Sequence, residues 1–147
     1  MTDGKVPPHI TISAFQSLNE EKVLSSVEKI AAMIKSDTIT WVSVGQFLPY
    51  VVFLSPVLCK YLHDMSSMIY EEIKQIDQTI INPYYMPFQW FPHTTIGKKL
   101  SQEEMQIACQ VLHSEFSMFS GRVTRIGLAK TNPYTVISEY ILNSEVK

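Results

Sequence analysis

Hydrophobic positions along the chain change period several times, and each change marks an element. Residues 8–14 alternate, with His9, Thr11 and Ser13 set against Ile10, Ile12 and Ala14. That alternation and its β-branched content predict a strand. Ser17-Leu18-Asn19-Glu20 follows in the form of a capping box, which predicts a helix start. Val23, Val27, Ile30, Ala31 and Ile34 then form one helical stripe. Two strands are predicted at about 38–48 and 50–55, turning near Pro49-Tyr50. A longer helix over about 57–80 carries Leu58, Leu62, Met65, Ile69, Ile73, Ile76 and Ile80, a stripe that reads as core packing. An aromatic, Pro-rich segment from Pro83 to Pro92 leads into a second strand–helix pattern. It contains His93-Thr94-Thr95, the capping box Ser101-Gln102-Glu103-Glu104, and a stripe of Ile107, Ala108, Val111 and Leu112. Strands at about 121–130 and 134–142, turning at Asn132-Pro133, end the pattern.

The second half repeats the first. At an offset of 84 residues, positions 8–58 and 92–142 share 13 identities in 51, where ordinary composition gives roughly three. They include Pro8/Pro92, His9/His93, Thr11/Thr95, Ile12/Ile96, Pro49/Pro133 and Tyr50/Tyr134. Self-similarity at a fixed offset indicates a duplicated unit. The predicted fold is α+β and bilobal, with β-α-β-β units related by a pseudo-twofold axis. Antiparallel sheets would line a central groove with helices outside. One two-lobed domain is expected over 1–147: lobe 1 at about 1–56, a bridging helix at about 57–80 and lobe 2 at about 90–147.

Composition narrows the function classes. A chain of 147 residues at 46% hydrophobic content is long enough for one packed domain. Net charge is −2, with no dense basic run, which argues against binding long nucleic-acid tracts. The apolar run Val51–Leu54 ends at Ser55-Pro56, too short to span a bilayer. No charged-then-apolar leader opens the sequence, and Cys59 and Cys109 lack metal-site spacing. A cytoplasmic protein with reduced thiols, no membrane partner and no cofactor is expected.

Residues i and i+2 of a strand point to one face, so each His-x-Thr presents an imidazole and a hydroxyl together. Histidine ordinarily titrates near pH 6.5, so one imidazole can accept a proton while another donates one. Threonine hydroxyls can bind non-bridging phosphate oxygens. Two copies brought to one groove suit metal-free acid–base chemistry on a phosphate ester. His9, Thr11, His93 and Thr95 are therefore the candidate catalytic set. No carboxylate lies near either motif to complete a zinc site. His63 and His113 read as surface residues. Tyr50 and Tyr134 are repeat-equivalent candidates for flanking the substrate, and the aromatic segment before Pro92 could stack a base. Arg122, Arg125 and Lys130 read as solvent-exposed.

Pro8-His9-Ile10-Thr11-Ile12 and Phe91-Pro92-His93-Thr94-Thr95-Ile96-Gly97 resemble the paired signatures of the two-histidine phosphoesterase superfamily. That group includes the 2′-5′ RNA ligase-like proteins and the cyclic phosphodiesterases. The resemblance implies metal-independent chemistry at 2′,3′-cyclic or 2′-5′-linked phosphodiesters of small nucleotides or RNA ends, with His9, Thr11, His93 and Thr95 as the catalytic set. It also points to Lys98, where relatives often carry a basic residue, as a phosphate contact if the strand ends or bulges before it. Many relatives carry a strand and a helix ahead of the first motif, for which a His at residue 9 leaves no room. An open sheet edge, and with it a monomer or weak dimer, follows as an expectation. Hydrolysis is favoured over ligation, because no nucleotide-activating motif such as a P-loop is present. The alternative is a non-catalytic module that binds nucleotides or RNA ends in the same groove.

Overall fold

Which predicted segments become elements depends on where their backbone groups find partners. A computed structural model describes residues 6–143. In chain order the elements are β1 (Phe15–Ser17), α1 (Glu20–Met33), β2 (Thr38–Phe47), β3 (Val51–Pro56), α2 (Lys60–Ile73) and β4 (Thr79–Ile81). After a 3-10 turn at Pro83–Tyr85 come β5 (Thr94–Gly97), α3 (Gln102–Glu115), β6 (Phe119–Arg122), β7 (Arg125–Lys130) and β8 (Thr135–Ile141). The class is α+β, as the pattern predicted, with antiparallel ladders joining β1 to β4, β2 to β3, β3 to β5 and β7 to β8.

The chain divides into two compact units, neither continuous in sequence. The first takes the chain through Thr11, then Ile39–Leu58 and Pro92–Gly121. The second takes Ile12–Thr38, Cys59–Phe91 and the chain from Arg122 onward. Each unit draws on both copies of the repeat, so the lobe boundaries expected at about 1–56, 57–80 and 90–147 do not coincide with these units. The first unit holds the four-stranded sheet in the order β5-β3-β2-β6, with α3 packed on β3. The second holds α1 against α2, with the β7–β8 hairpin against α1.

Several local expectations change for identifiable reasons. Residues 8–14 are not a strand; the strand is Phe15–Ser17, which pairs with Thr79–Ile81. Alternation prepares a segment for pairing, and the regular ladder with β4 begins only at Phe15. Ser17 does not cap α1, because its hydroxyl already accepts from the Asn19 amide at 3.2 Å and from Thr79 at 2.7 Å. Asn19 caps instead, accepting from the Lys22 amide at 3.1 Å. The equivalent box at Ser101 and Glu104 forms in full, with bonds of 3.1 and 2.7 Å. The strand expected at 121–130 is two strands, β6 and β7. At the break, the Val123 amide donates to Asp37 and the Thr124 carbonyl accepts from Leu142, so neighbouring backbone groups serve different partners.

The stripes of α1 and α2 are mostly core. Val23, Val27, Ile30 and Ile34 are buried, as are Leu62, Met65, Ile69, Ile73 and Ile76. Leu58 and Ile80 lie beyond the ends of α2 and are exposed. In α3 the inward row is Met105, Ala108, Cys109 and Leu112, whereas Ile107 and Val111 face solvent. Two apolar rows compete on that helix, and the sheet contact selects one.

Ile73 is 0% exposed and Ile80 72%, so Ile73→Ala should cost about 2–5 kcal/mol and Ile80→Ala within about 0.5 kcal/mol, read from urea unfolding midpoints. A second test concerns Tyr61, whose hydroxyl donates to the Lys35 carbonyl at 2.7 Å. Burial first, then the charges of Asp37 and Cys59, push its pKa from 10.0 up to about 12. The unfolded chain therefore releases a proton that the folded chain keeps. The contribution is intact below about pH 10 and is lost as pH rises through about 12. Tyr61→Phe should remove that component of alkaline destabilisation in unfolding curves collected across this window.

Candidate functional site

The second motif leads into β5, an edge strand of the four-stranded sheet, with His93 just before it and Thr94 and Thr95 on it. Thr95 pairs with Phe53 and Thr94 with Leu54, after which the register jumps to Val52 opposite Gly97. Ile96 is thus the extra residue of a bulge. Residues opposite each other in a ladder share a face, and neighbours along a strand alternate. Thr95, Phe53 and Gly45 consequently share one face, and Thr94, Leu54 and Val44 the other. His93, two residues before Thr95, belongs with the first set. A cavity of about 360 Å³ runs between α3 and the Val42–Val44–Gln46 row of β2. α3 therefore covers the Thr94 face and leaves the His93–Thr95 face to other groups.

Three rings gather on that second face. His93 lies 4.8 Å from Phe47, nearly perpendicular at 88°, and 5.4 Å from Phe53 at 60°. The two phenylalanines are themselves 4.3 Å apart. Aromatic pairs of this kind contribute about 0.5–1.5 kcal/mol beyond area burial. Phe53 is 4% exposed and its ring folds over Gly45, the residue directly opposite it. A Cβ at Gly45 would stand 2.4 Å from the end of that ring, so the absence of a side chain is required there.

The central residue of the motif is anchored on the other face. The Trp41 indole N–H donates to the Thr94 hydroxyl at 3.1 Å. Trp41 stacks on Phe119 with centroids 5.0 Å apart, and a Cβ at Gly121 would approach its ring to 3.0 Å. β5 is thus held by aromatic side chains on both faces, each lying over a glycine.

The first motif belongs to the same compact unit, but on an irregular segment. His9 is exposed and Thr11 half-buried. The His9 Nδ1 lies 2.8 Å from the Pro7 carbonyl oxygen. A carbonyl can only accept, so Nδ1 carries the proton and Nε2 is the nitrogen left to exchange one.

Among the other candidates, Lys98 is exposed, one residue past the end of β5. The bulge at Ile96 shifts the alternation, so the position after Gly97 returns to the register of Phe53 and Val51. The Leu100 amide donates to the Tyr50 carbonyl at 3.2 Å, fastening the loop of Lys98 to the hairpin turn of Tyr50. Tyr134 lies in the other unit, on the β7–β8 turn. His63 departs from the surface expectation: it is half-buried, its ring packs 4.5 Å from Phe88, and its Nε2 is buried without a partner. His113 is exposed, as expected. Arg122, Arg125 and Lys130 are exposed, as expected; Arg122 donates through Nε to the buried Ser36 hydroxyl at 2.8 Å, and Arg125 and Lys130 form ion pairs with Glu139 and Glu20. In the aromatic segment Tyr84 and Phe88 are exposed and Trp90 buried.

A second cavity, about 620 Å³ near Tyr61 and Arg122, contains neither motif. Among the described residues, no three His, Cys, Asp or Glu side chains cluster as metal ligands. No described helix is long and apolar enough to cross a membrane. Trp41, Gly45, Phe47 and Phe53 escaped the sequence reading. A signal existed for three of them: a hairpin centred on Pro49 sets Gly45 opposite Phe53 and Phe47 beside the turn; Trp41 had none.

Trp41→Phe would keep the stacked ring and remove the indole N–H, leaving the buried Thr94 hydroxyl without its donor. A loss of about 1–3 kcal/mol is expected in chemical denaturation.

No curated protein matches the chain. A solved structure titled as that of a phosphoesterase superposes with a TM-score of 0.59 at 19% identity, covering 93% of this chain and 78% of the other, a likeness of fold. The family model of the 2′-5′ RNA ligase superfamily matches residues 2–134, nearly the whole length and both His-x-Thr motifs, and the chain belongs to that superfamily.

Proposed function

We propose that this protein is a metal-independent phosphoesterase acting on 2′,3′-cyclic or 2′-5′-linked phosphodiesters of nucleotides or RNA ends. Superfamily membership supports a phosphoesterase- or ligase-like activity. The observation that carries the finer reading is that two His-x-Thr motifs, 84 residues apart, lie in one compact unit.

In this reading His9 and His93 exchange protons with the attacking and leaving oxygens, one as base and one as acid. The Pro7 carbonyl holds the Nδ1 proton of His9, which commits Nε2 to the exchange. Thr11 and Thr95 donate to the non-bridging oxygens. Lys98 supplies a positive charge to the phosphate from the loop beyond β5, and Tyr50 flanks the nucleotide. Water is far more abundant than a second hydroxyl and the sequence carries no nucleotide-activating motif, so hydrolysis is the main direction. The bridging oxygen of the scissile P–O bond leaves with a proton, and water's oxygen takes its place on phosphorus. The partner is a nucleotide or RNA terminus, and the two unpaired cysteines support a cytoplasmic setting.

The test is turnover of nucleoside 2′,3′-cyclic phosphates, and of RNA ending in a cyclic phosphate, in excess chelator. His9→Ala and His93→Ala should each lower kcat by about a hundred- to ten-thousandfold; exposed His9→Ala should leave the unfolding midpoint near that of the parent, whereas His93→Ala, which loses two ring contacts, should still unfold cooperatively at a lower midpoint. The rate should pass through a maximum near neutral pH. Binding without turnover would favour the non-catalytic module, and a requirement for a divalent metal would overturn the mechanism.

A further inference from the structure

We propose that Phe53 and Phe47 are positioning residues for His93, and that Gly45 is the residue whose bare Cα allows it. The proposal rests on the reading of His93 as an acid–base group. The χ2 torsion of a histidine is broad and soft, so the plane of a working imidazole has to be set by its surroundings. Both motifs show such surroundings. His9 is oriented by a hydrogen bond from Nδ1 to the Pro7 carbonyl. His93 is confined by two rings, one nearly perpendicular at 4.8 Å and the other inclined at 5.4 Å.

Phe53 cannot easily yield. It is buried, paired with Gly45 on β2 and with Thr95 on β5, and its ring tip occupies the space a Gly45 side chain would take. Phe47 closes against it at 4.3 Å. One aromatic pair thus connects the centre of the sheet to the imidazole and to the backbone of Thr95.

The chain also departs from its own repeat here. Eighty-four residues on, Gly45, Phe47 and Phe53 correspond to Ala129, Thr131 and Ile137. The second copy's hairpin pairs in another register, with Ala129 opposite Val136, so the aromatic cluster and its bare partner are particular to the copy whose rings meet His93.

The experiment uses the full chain with Phe47→Leu and Phe47→Tyr, because Phe47 is 41% exposed and its replacement leaves the core intact, and with Gly45→Ala, which crowds the buried Phe53 ring and is therefore read beside its own unfolding midpoint. Turnover of a nucleoside 2′,3′-cyclic phosphate is measured beside the ring-proton NMR resonances of His93, with those of His9 as internal control. Phe47→Leu and Gly45→Ala should lower kcat about tenfold to a hundredfold with KM unchanged, and should shift the His93 resonances but not those of His9. Phe47→Tyr, which restores a ring, should return both. A rise in KM at constant kcat would show Phe47 touching substrate and overturn the proposal, as would unmoved His93 resonances. If the parent protein turns over no phosphodiester, the functional reading fails and the proposal that rests on it falls too; if the parent turns over and Phe47→Leu keeps its full kcat, the positioning alone is overturned.

Discussion

The antiparallel pairing of β3 with β5 is the constraint on which the candidate site depends. Three backbone pairings sort the second motif onto two faces. One face carries Thr95 and, two residues earlier, His93; the other carries Thr94. Everything else follows from that sorting. Trp41 reaches Thr94 because it is on the far face, and Phe53 meets His93 because it is the ladder partner of Thr95. The bulge at Ile96 then ends the strand and turns the chain toward the loop of Lys98 and the hairpin of Tyr50.

The two motifs stand in different surroundings. The first sits on an irregular segment, so its histidine is oriented by a local bond to a carbonyl two residues away. The second sits in a sheet, so its histidine can lean on side chains brought from strands forty or more residues distant in sequence. Sheet pairing makes such distant neighbours available, and close packing makes them rigid. The two glycines serve the same end, since Gly45 and Gly121 admit the Phe53 and Trp41 rings to positions a Cβ would obstruct. The result is a pair of motifs nearly identical in sequence and unlike in surroundings.

The element pattern was legible where burial and propensity agreed. The stripes of α1 and α2, the capping box at Ser101 and Glu104, and the hairpin around Pro49 all read from local sequence. Readings failed where a long-range partner decided the outcome. Residues 8–14 had the alternation of a strand but no ladder. The Ser17 hydroxyl was taken by Asn19 and Thr79, and Ile107 and Val111 lost to the row of Met105 and Leu112.

By itself the sequence determined the duplication, the α+β class and the two His-x-Thr motifs, because each is written in local period or direct repetition. Tertiary structure alone decided that strands from both copies would share one sheet, that His93 would stand against Phe47 and Phe53, and that Gly45 would have to be bare. Those outcomes depend on register between strands far apart in the chain. Register is set by the total packing of a face, and no single segment carries that information.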